Sequence, residues 1–115
     1  QIYYSASRKL ILKGVDGLVF VADSQNERFE ANLESIQDML ENLRDYKIEF
    51  PSIPYVLQLN KRDLPNVTPA NELISALRKK EEPVLEAVAY KGDGVVETLK
   101  AISKLIMSEV KNKIG

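Results

Sequence analysis

Asn60-Lys61-Arg62-Asp63 is the segment of this 115-residue chain richest in chemistry. Asn60 offers one acceptor and two donors, so it can meet a purine edge and also tie neighbouring loops together. The aliphatic stem of Lys61 can lie over a flat ring while its ammonium reaches back across the site. An ionised Asp63 accepts two N–H groups at once. Guanine presents that donor pair on one edge, N1–H and the 2-amino group, and adenine does not. Such a site rejects the wrong base strongly, because its acceptors are then left unpaired. Arg62 is free to point outward, which suits its charge. The same residues also read as a polar strand-to-loop turn in which Asp63 caps a following helical turn. Three fixed positions arise by chance in roughly one or two of a hundred chains this long. The structural context therefore carries the weight.

That context is a strand exit. Pro54 to Asn60 is a β-rich apolar run ending directly on the four residues, and Gly17 to Asp23 and Pro83 to Ala89 are two more. Gly17 to Asp23 is nearly unbroken, as expected of a central strand covered on both faces. The other two carry Gln58 and Glu86 and read as one step nearer an edge. Between them lie helical stripes. Phe29, Leu33, Ile36, Leu40 and Leu43 mark a helix over about Glu27 to Tyr46, and Val95, Leu99, Ile102, Ile106 and Val110 another near the C-terminus. Pro69 to Lys79 fits a shorter helix, with Thr68 as N-cap, Pro69 at its first position and Leu73, Ile74 and Leu77 inward. Tyr3 to Lys13 is a fourth candidate, closed by Gly14.

Strands alternating with helical crossovers imply a parallel sheet with right-handed connections. Three such strands and four helices form a thin core. An edge left open beside Leu18 to Val21 points to half of a larger doubly wound domain. Ligands of open parallel sheets bind beyond the carboxyl ends of the strands. The first strand exits into Asp23-Ser24-Gln25-Asn26, where Ser24 and Asn26 read as caps of the long helix. The third exits into Ala89-Tyr90-Lys91-Gly92-Asp93-Gly94, a flexible loop.

Composition removes other chemistries. There is no Cys and no His, which excludes disulfides, thiolate metal sites, Ser-His-Asp catalysis and most zinc sites. Sixteen Lys and Arg against seventeen Asp and Glu leave a net charge of −1, with no electrostatic case for nucleic acid or an anionic membrane. No apolar run approaches the ~20 residues of a membrane span. The first residues lack the apolar stretch of a signal peptide. A chain that starts at Gln1 without Met, inside an ongoing pattern, reads as a fragment.

These landmarks carry a resemblance. NKRD resembles the guanine-specificity motif Asn-Lys-x-Asp of the Ras-like small GTPases, a P-loop NTPase fold. Gln1-Ile2-Tyr3-Tyr4-Ser5-Ala6-Ser7-Arg8 resembles the Gln-x-x-Tyr-Ser-Ala-x-Arg stretch that follows Asp-x-x-Gly in that family. Glu86-Ala87-Val88-Ala89 and Gly94-Val95 resemble its last loop, and all three landmarks occur in the family's order. Within the family, the stretch from Ser5 to Gly17, NKRDLP and VLEAVA look closest to the bacterial MglA-type GTPases of gliding motility and cell polarity.

The resemblance implies that residues 1–115 are the C-terminal half of a Ras-like α/β domain and that the ligand is GTP or GDP. Asn60 and Asp63 would read guanine, with Lys61 along the base and ribose. Val88 and Ala89 would form the last loop, with the Ala89 N–H meeting the guanine oxygen. The family's Ser-Ala-Lys is here Val88-Ala89-Tyr90, so a serine hydroxyl that braces the loop is missing. Gln1 matches the glutamine that orients the attacking water. The phosphate loop, the first switch threonine and Asp-x-x-Gly are not in this sequence. Mg²⁺ therefore belongs only to the intact parent, and this chain alone is expected not to hydrolyse GTP. The resemblance also implies a cytoplasmic protein and a Roadblock-type GTPase-activating partner docking near Tyr3 to Lys13. There Ile2, Tyr3 and Tyr4 serve that interface or the domain's own core. The alternative function is a stand-alone, non-catalytic α/β interaction module that uses the charged faces of its long helices.

Overall fold

Alternation of side chains along a strand decides which residues meet which layer. In the computed structural model, which describes residues 2–3 and 16–114, the strand β2 (Leu18–Asp23) lies beside β3 (Tyr55–Asn60). The two pair in parallel from Leu18↔Tyr55 to Asp23↔Asn60. The strand β4 (Val84–Glu86) pairs in parallel with the far edge of β3, Leu57↔Val84 to Leu59↔Glu86. The three expected strands are present, separated by helices in an open parallel α/β sheet.

A further strand was not anticipated. β1 (Ile2–Tyr3) pairs in parallel with β2 at Val19 and Phe20, so the sheet order is β1-β2-β3-β4. Tyr3, expected to open a helix, is therefore extended, and that part of the expected open edge beside β2 is paired. Two residues are too short a run to leave a periodic signature. The rest of that expected helix, residues 4–13, lies outside the described residues.

The two faces of the sheet are covered separately. Leu18, Phe20 and Ala22 of β2 and Tyr55, Leu57 and Leu59 of β3 point to one side. They pack against Ile36, Met39 and Leu43 of α1 (Phe29–Asp45) and Leu73 and Leu77 of α2 (Ala70–Leu77). Val19 and Val56 point to the other side, against Ile102 of α3 (Val95–Ile114). Only Ile102 of the expected α3 stripe is fully buried, and Leu99 is 56% exposed.

Gln58 corrects the ranking of β3 as near an edge. The strand is interior, and its polar residue is buried because the Gln58 amide donates to Thr98 Oγ1 of α3 at 2.8 Å. The Thr98 hydroxyl in turn donates to the Gly94 carbonyl at 2.7 Å. A buried amide of this kind is tolerated because it is paired. β4, carrying the exposed Glu86, does lie at an edge.

The start of α2 also differs. Pro69, at φ −56° and ψ 143°, is extended, so the helix begins at Ala70, and the Glu72 and Leu73 N–H groups donate to the Pro69 carbonyl. Thr68 is not a cap: its hydroxyl donates to Asn26 Oδ1 at 2.8 Å.

Candidate functional site

Because β2 and β3 run parallel and in register, Asp23 and Asn60 end side by side, and every chemistry-bearing exit lies at one end of the sheet. The Ser24 N–H donates to the Asn60 carbonyl at 3.1 Å and the Thr68 N–H to the Ser24 carbonyl at 2.8 Å, which continues the pairing past the strand ends. Ser24 and Asn26 do not cap the long helix as expected. Gln25 precedes a short 3-10 turn, Asn26–Arg28, with no side-chain cap, and α1 follows from it directly. Asn26 instead bonds across to Asn66 and Thr68, joining the β2 exit to the loop before α2.

Asp23 is the hub of this end. Its carboxylate accepts from the Gln25 N–H at 3.1 Å, from Gln25 Nε2 at 3.0 Å and from Lys61 Nζ at 3.0 Å. Burial raises the Asp23 carboxyl's affinity for a proton, but the Gln25 side chain and backbone and the Lys61 ammonium outweigh this and hold it below the usual carboxylate range. The backbone of Asp23 is held as firmly. Asn32 of α1, 6% exposed, accepts from the Asp23 N–H at 3.1 Å and donates to its carbonyl at 2.8 Å. Asn32 escaped the sequence reading although it left a signal. It replaces an apolar residue at the 29, 32, 36, 39, 43 spacing of inward positions, where an unexplained Asn implies a specific buried partner.

Lys61 stands at φ +64°, in the left-handed region that non-glycine residues rarely occupy and that clusters at functional sites. This turn sends its ammonium back to Asp23. Arg62 does not point outward as expected. Its side chain is only 17% exposed, donating to Glu86 Oε1 at 3.1 Å and to the Thr68 carbonyl at 2.8 Å, while its N–H donates to the Ala87 carbonyl. Arg62 thereby joins three segments: the β3 exit, the loop before α2 and the end of β4. Nothing local in the sequence indicates those partners, which lie 6 and 24 residues away.

The third exit is tied to the second. Asn60 Oδ1 accepts from the Ala89 N–H at 2.9 Å, and the Asp63 carboxylate accepts from the Tyr90 hydroxyl at 3.0 Å. The Ala89 N–H, expected to face a guanine oxygen, is directed at Asn60 in this structure. Val88 is fixed by its N–H bond to the Asp93 carbonyl at 2.9 Å. The expected flexible loop is thus a short 3-10 turn, Ala89–Lys91, followed by Gly92 at φ +87°. Gly94, at φ +82°, permits a close approach: a Cβ there would lie 2.3 Å from the Glu86 carbonyl oxygen. Asn60, Lys61, Asp63, Val88 and Ala89 therefore do converge at one end of the sheet. Gln1 lies outside the described residues.

Beside Asn60 and Ala89, on the α3 side of the sheet, opens a mainly apolar cavity of about 460 Å³ reaching Val19, Val21 and Leu99. Among the described residues there is no cluster of three or more acidic side chains that could hold a metal ion, and no helix is long and apolar enough to cross a membrane.

Comparison with known proteins places the chain in a family. Residues 8–106 match the ADP-ribosylation factor family. The chain is 54% identical over 111 residues to the mutual gliding-motility protein MglA of Myxococcus xanthus (strain DK1622), a match covering 96% of this chain and 57% of that protein. The chain thus spans little more than half the length of this curated relative. The open parallel sheet is accordingly part of a Ras-like GTPase fold. With the family match covering most of its length and Asn-Lys-x-Asp at the exit of an interior strand, the chain belongs to the ADP-ribosylation factor family of small GTPases.

Proposed function

We propose that these residues are the base-recognition side of a guanine-nucleotide-binding switch protein of the MglA type, acting in gliding motility or cell polarity. The observation that carries the reading is the convergence of Asn60, Lys61 and Asp63 with the Ala89 turn at the carboxyl ends of parallel strands, where ligands of such sheets bind. In this reading Asp63 accepts guanine N1–H and the 2-amino group, and Lys61, turned by its left-handed backbone, lies along base and ribose. The Asn60–Ala89 bond holds the two loops at a common spacing, and the Ala89 N–H turns to the guanine oxygen when the base is bound. Phosphate and Mg²⁺ are handled by residues outside this chain, and in the intact protein GTP hydrolysis joins them to Gln1, which orients the attacking water. A Roadblock-type activating partner docks near Tyr3 to Lys13, and the protein works in the cytoplasm.

The test uses the full-length protein that contains this sequence. Thermal shifts with GDP, ADP and XDP are compared before and after Asp63→Asn. GDP stabilises the wild type over ADP and XDP, and the variant loses GDP affinity by roughly 10²-fold, two charge-assisted hydrogen bonds, while gaining XDP. A wild type without preference for GDP, or a variant that does not move toward XDP, refutes the assignment. One observation favours a non-catalytic interaction module instead. Val96, Leu99, Met107 and Val110 of α3 are exposed apolar residues, an apolar surface of the kind that partners cover. Equal response to all three nucleotides would select that reading.

A further inference from the structure

We propose that Tyr90 is a positioning residue for base recognition, its hydroxyl holding the Asp63 carboxylate in the plane that receives guanine. The proposal rests on the reading of Asp63 given above.

A carboxylate that must accept two N–H groups at once needs a fixed plane, yet rotation about the last torsion of an aspartate is broad. Asp63 is exposed and sits within a turn, so packing does not set that plane. Its hydrogen-bond partner is the Tyr90 hydroxyl, which donates to Oδ2 at 3.0 Å. One O–H bond occupies one lone pair. Oδ1 and the second lone pair of Oδ2 stay available, side by side, for a donor pair. Orientation and acceptor capacity are therefore compatible.

The Tyr90 ring also meets the Lys91 ammonium, 5.7 Å from its centroid, a contact that does not direct the hydroxyl. Tyr90 is 78% exposed, so its ring is not core packing. Its place is well determined by the backbone. The Val88 N–H to Asp93 bond, the Gly92 N–H to Ala89 bond at 2.9 Å and the two glycines at positive φ close the loop tightly. The Ala89 N–H then anchors that loop on Asn60, three residues before Asp63. From that anchored loop the long arm of Tyr90 carries its hydroxyl across to the Asp63 carboxylate.

The experiment is a double-mutant cycle in the full-length protein, with GDP and ADP affinities measured by titration calorimetry for wild type, Tyr90→Phe, Asp63→Asn and the double variant. Tyr90→Phe removes only the hydroxyl. It should weaken GDP about fivefold, leave ADP unchanged and leave the melting temperature of the nucleotide-free protein unchanged. In the Asp63→Asn background the same substitution should alter GDP affinity less than twofold. Tyr90→Phe binding GDP within twofold of wild type, or more tightly, overturns the proposal, the latter because the hydroxyl would then compete with the base. An equal loss for GDP and ADP, or a loss that persists without Asp63, overturns it as well by showing a role in loop structure alone. If Asp63→Asn itself leaves GDP affinity unchanged, the base-reading assignment falls and takes this proposal with it. A silent Tyr90→Phe beside a damaging Asp63→Asn sinks the role of Tyr90 only.

Discussion

Replacing Asn32 with leucine tests whether the α1 side of the sheet positions the site. Asn32 is 6% exposed and satisfies both backbone groups of Asp23, at 3.1 Å and 2.8 Å. Leucine has nearly the same volume and neither polar atom, so the substitution removes two hydrogen bonds without opening a cavity. Each bond contributes about 1 kcal/mol net, and a buried polar group left unpaired costs about 1–3 kcal/mol. Two such groups at a strand end that water partly reaches place the loss near 3 kcal/mol. The extra apolar burial of leucine returns about 1 kcal/mol, leaving a net loss of about 2 kcal/mol. With a urea slope of about 2 kcal/mol/M, the midpoint of denaturation falls by about 1 M. Gln37→Leu, on the exposed face of the same helix, is the control and should stay within about 0.5 kcal/mol of wild type. Affinity for GDP should fall in Asn32→Leu but not in the control, because a displaced Asp23 no longer holds Lys61. Equal urea midpoints for the two variants would refute the claim that Asn32 fixes the β2 exit.

Three further outcomes follow from particular residues. Gly94→Ala places a Cβ 2.3 Å from backbone at a positive φ and should cost about 3 kcal/mol or more by urea denaturation, whereas Gly92→Ala, at φ +87° with nothing within 4 Å, should cost only about 1–2 kcal/mol. Similar losses at the two glycines would show that the contact with Glu86 is not what requires glycine. The Tyr55 hydroxyl is buried without a hydrogen-bond partner among the described residues. Burial, and then Glu82, push its pKa up. Tyr55→Phe should therefore be neutral or up to about 1 kcal/mol more stable, and a clear destabilisation in the same assay would contradict this. Asp23 is held below its ordinary value of 3.8, so folding favours its ionised form. That contribution is present above about pH 4 and disappears as pH falls through the depressed folded value. Asp23→Asn should be less stable than wild type at pH 7 and show a flatter loss of stability between pH 5 and 2, and parallel acid profiles would contradict it.

What the sequence determined by itself was local. The β2 run is legible because a strand covered on both faces needs apolar side chains at every position. α1 is legible because one solvent-facing side imposes a 3.6-residue period, and Asn-Lys-x-Asp is legible because four adjacent residues share one turn. Tertiary structure decided whatever joins positions distant in the chain. Gln58 marked an edge in sequence but is interior, since Thr98, 40 residues on, satisfies its amide. Arg62 promised a free charge and is a staple, since strand order brings Glu86 and Thr68 to it. Asp23 meets Lys61 across 38 residues and Tyr90 meets Asp63 across 27, because parallel strands in register deliver their exits to one place. The chemical character of each residue is written in its type, but register and strand order choose its partner, and neither is a property of any short stretch of chain.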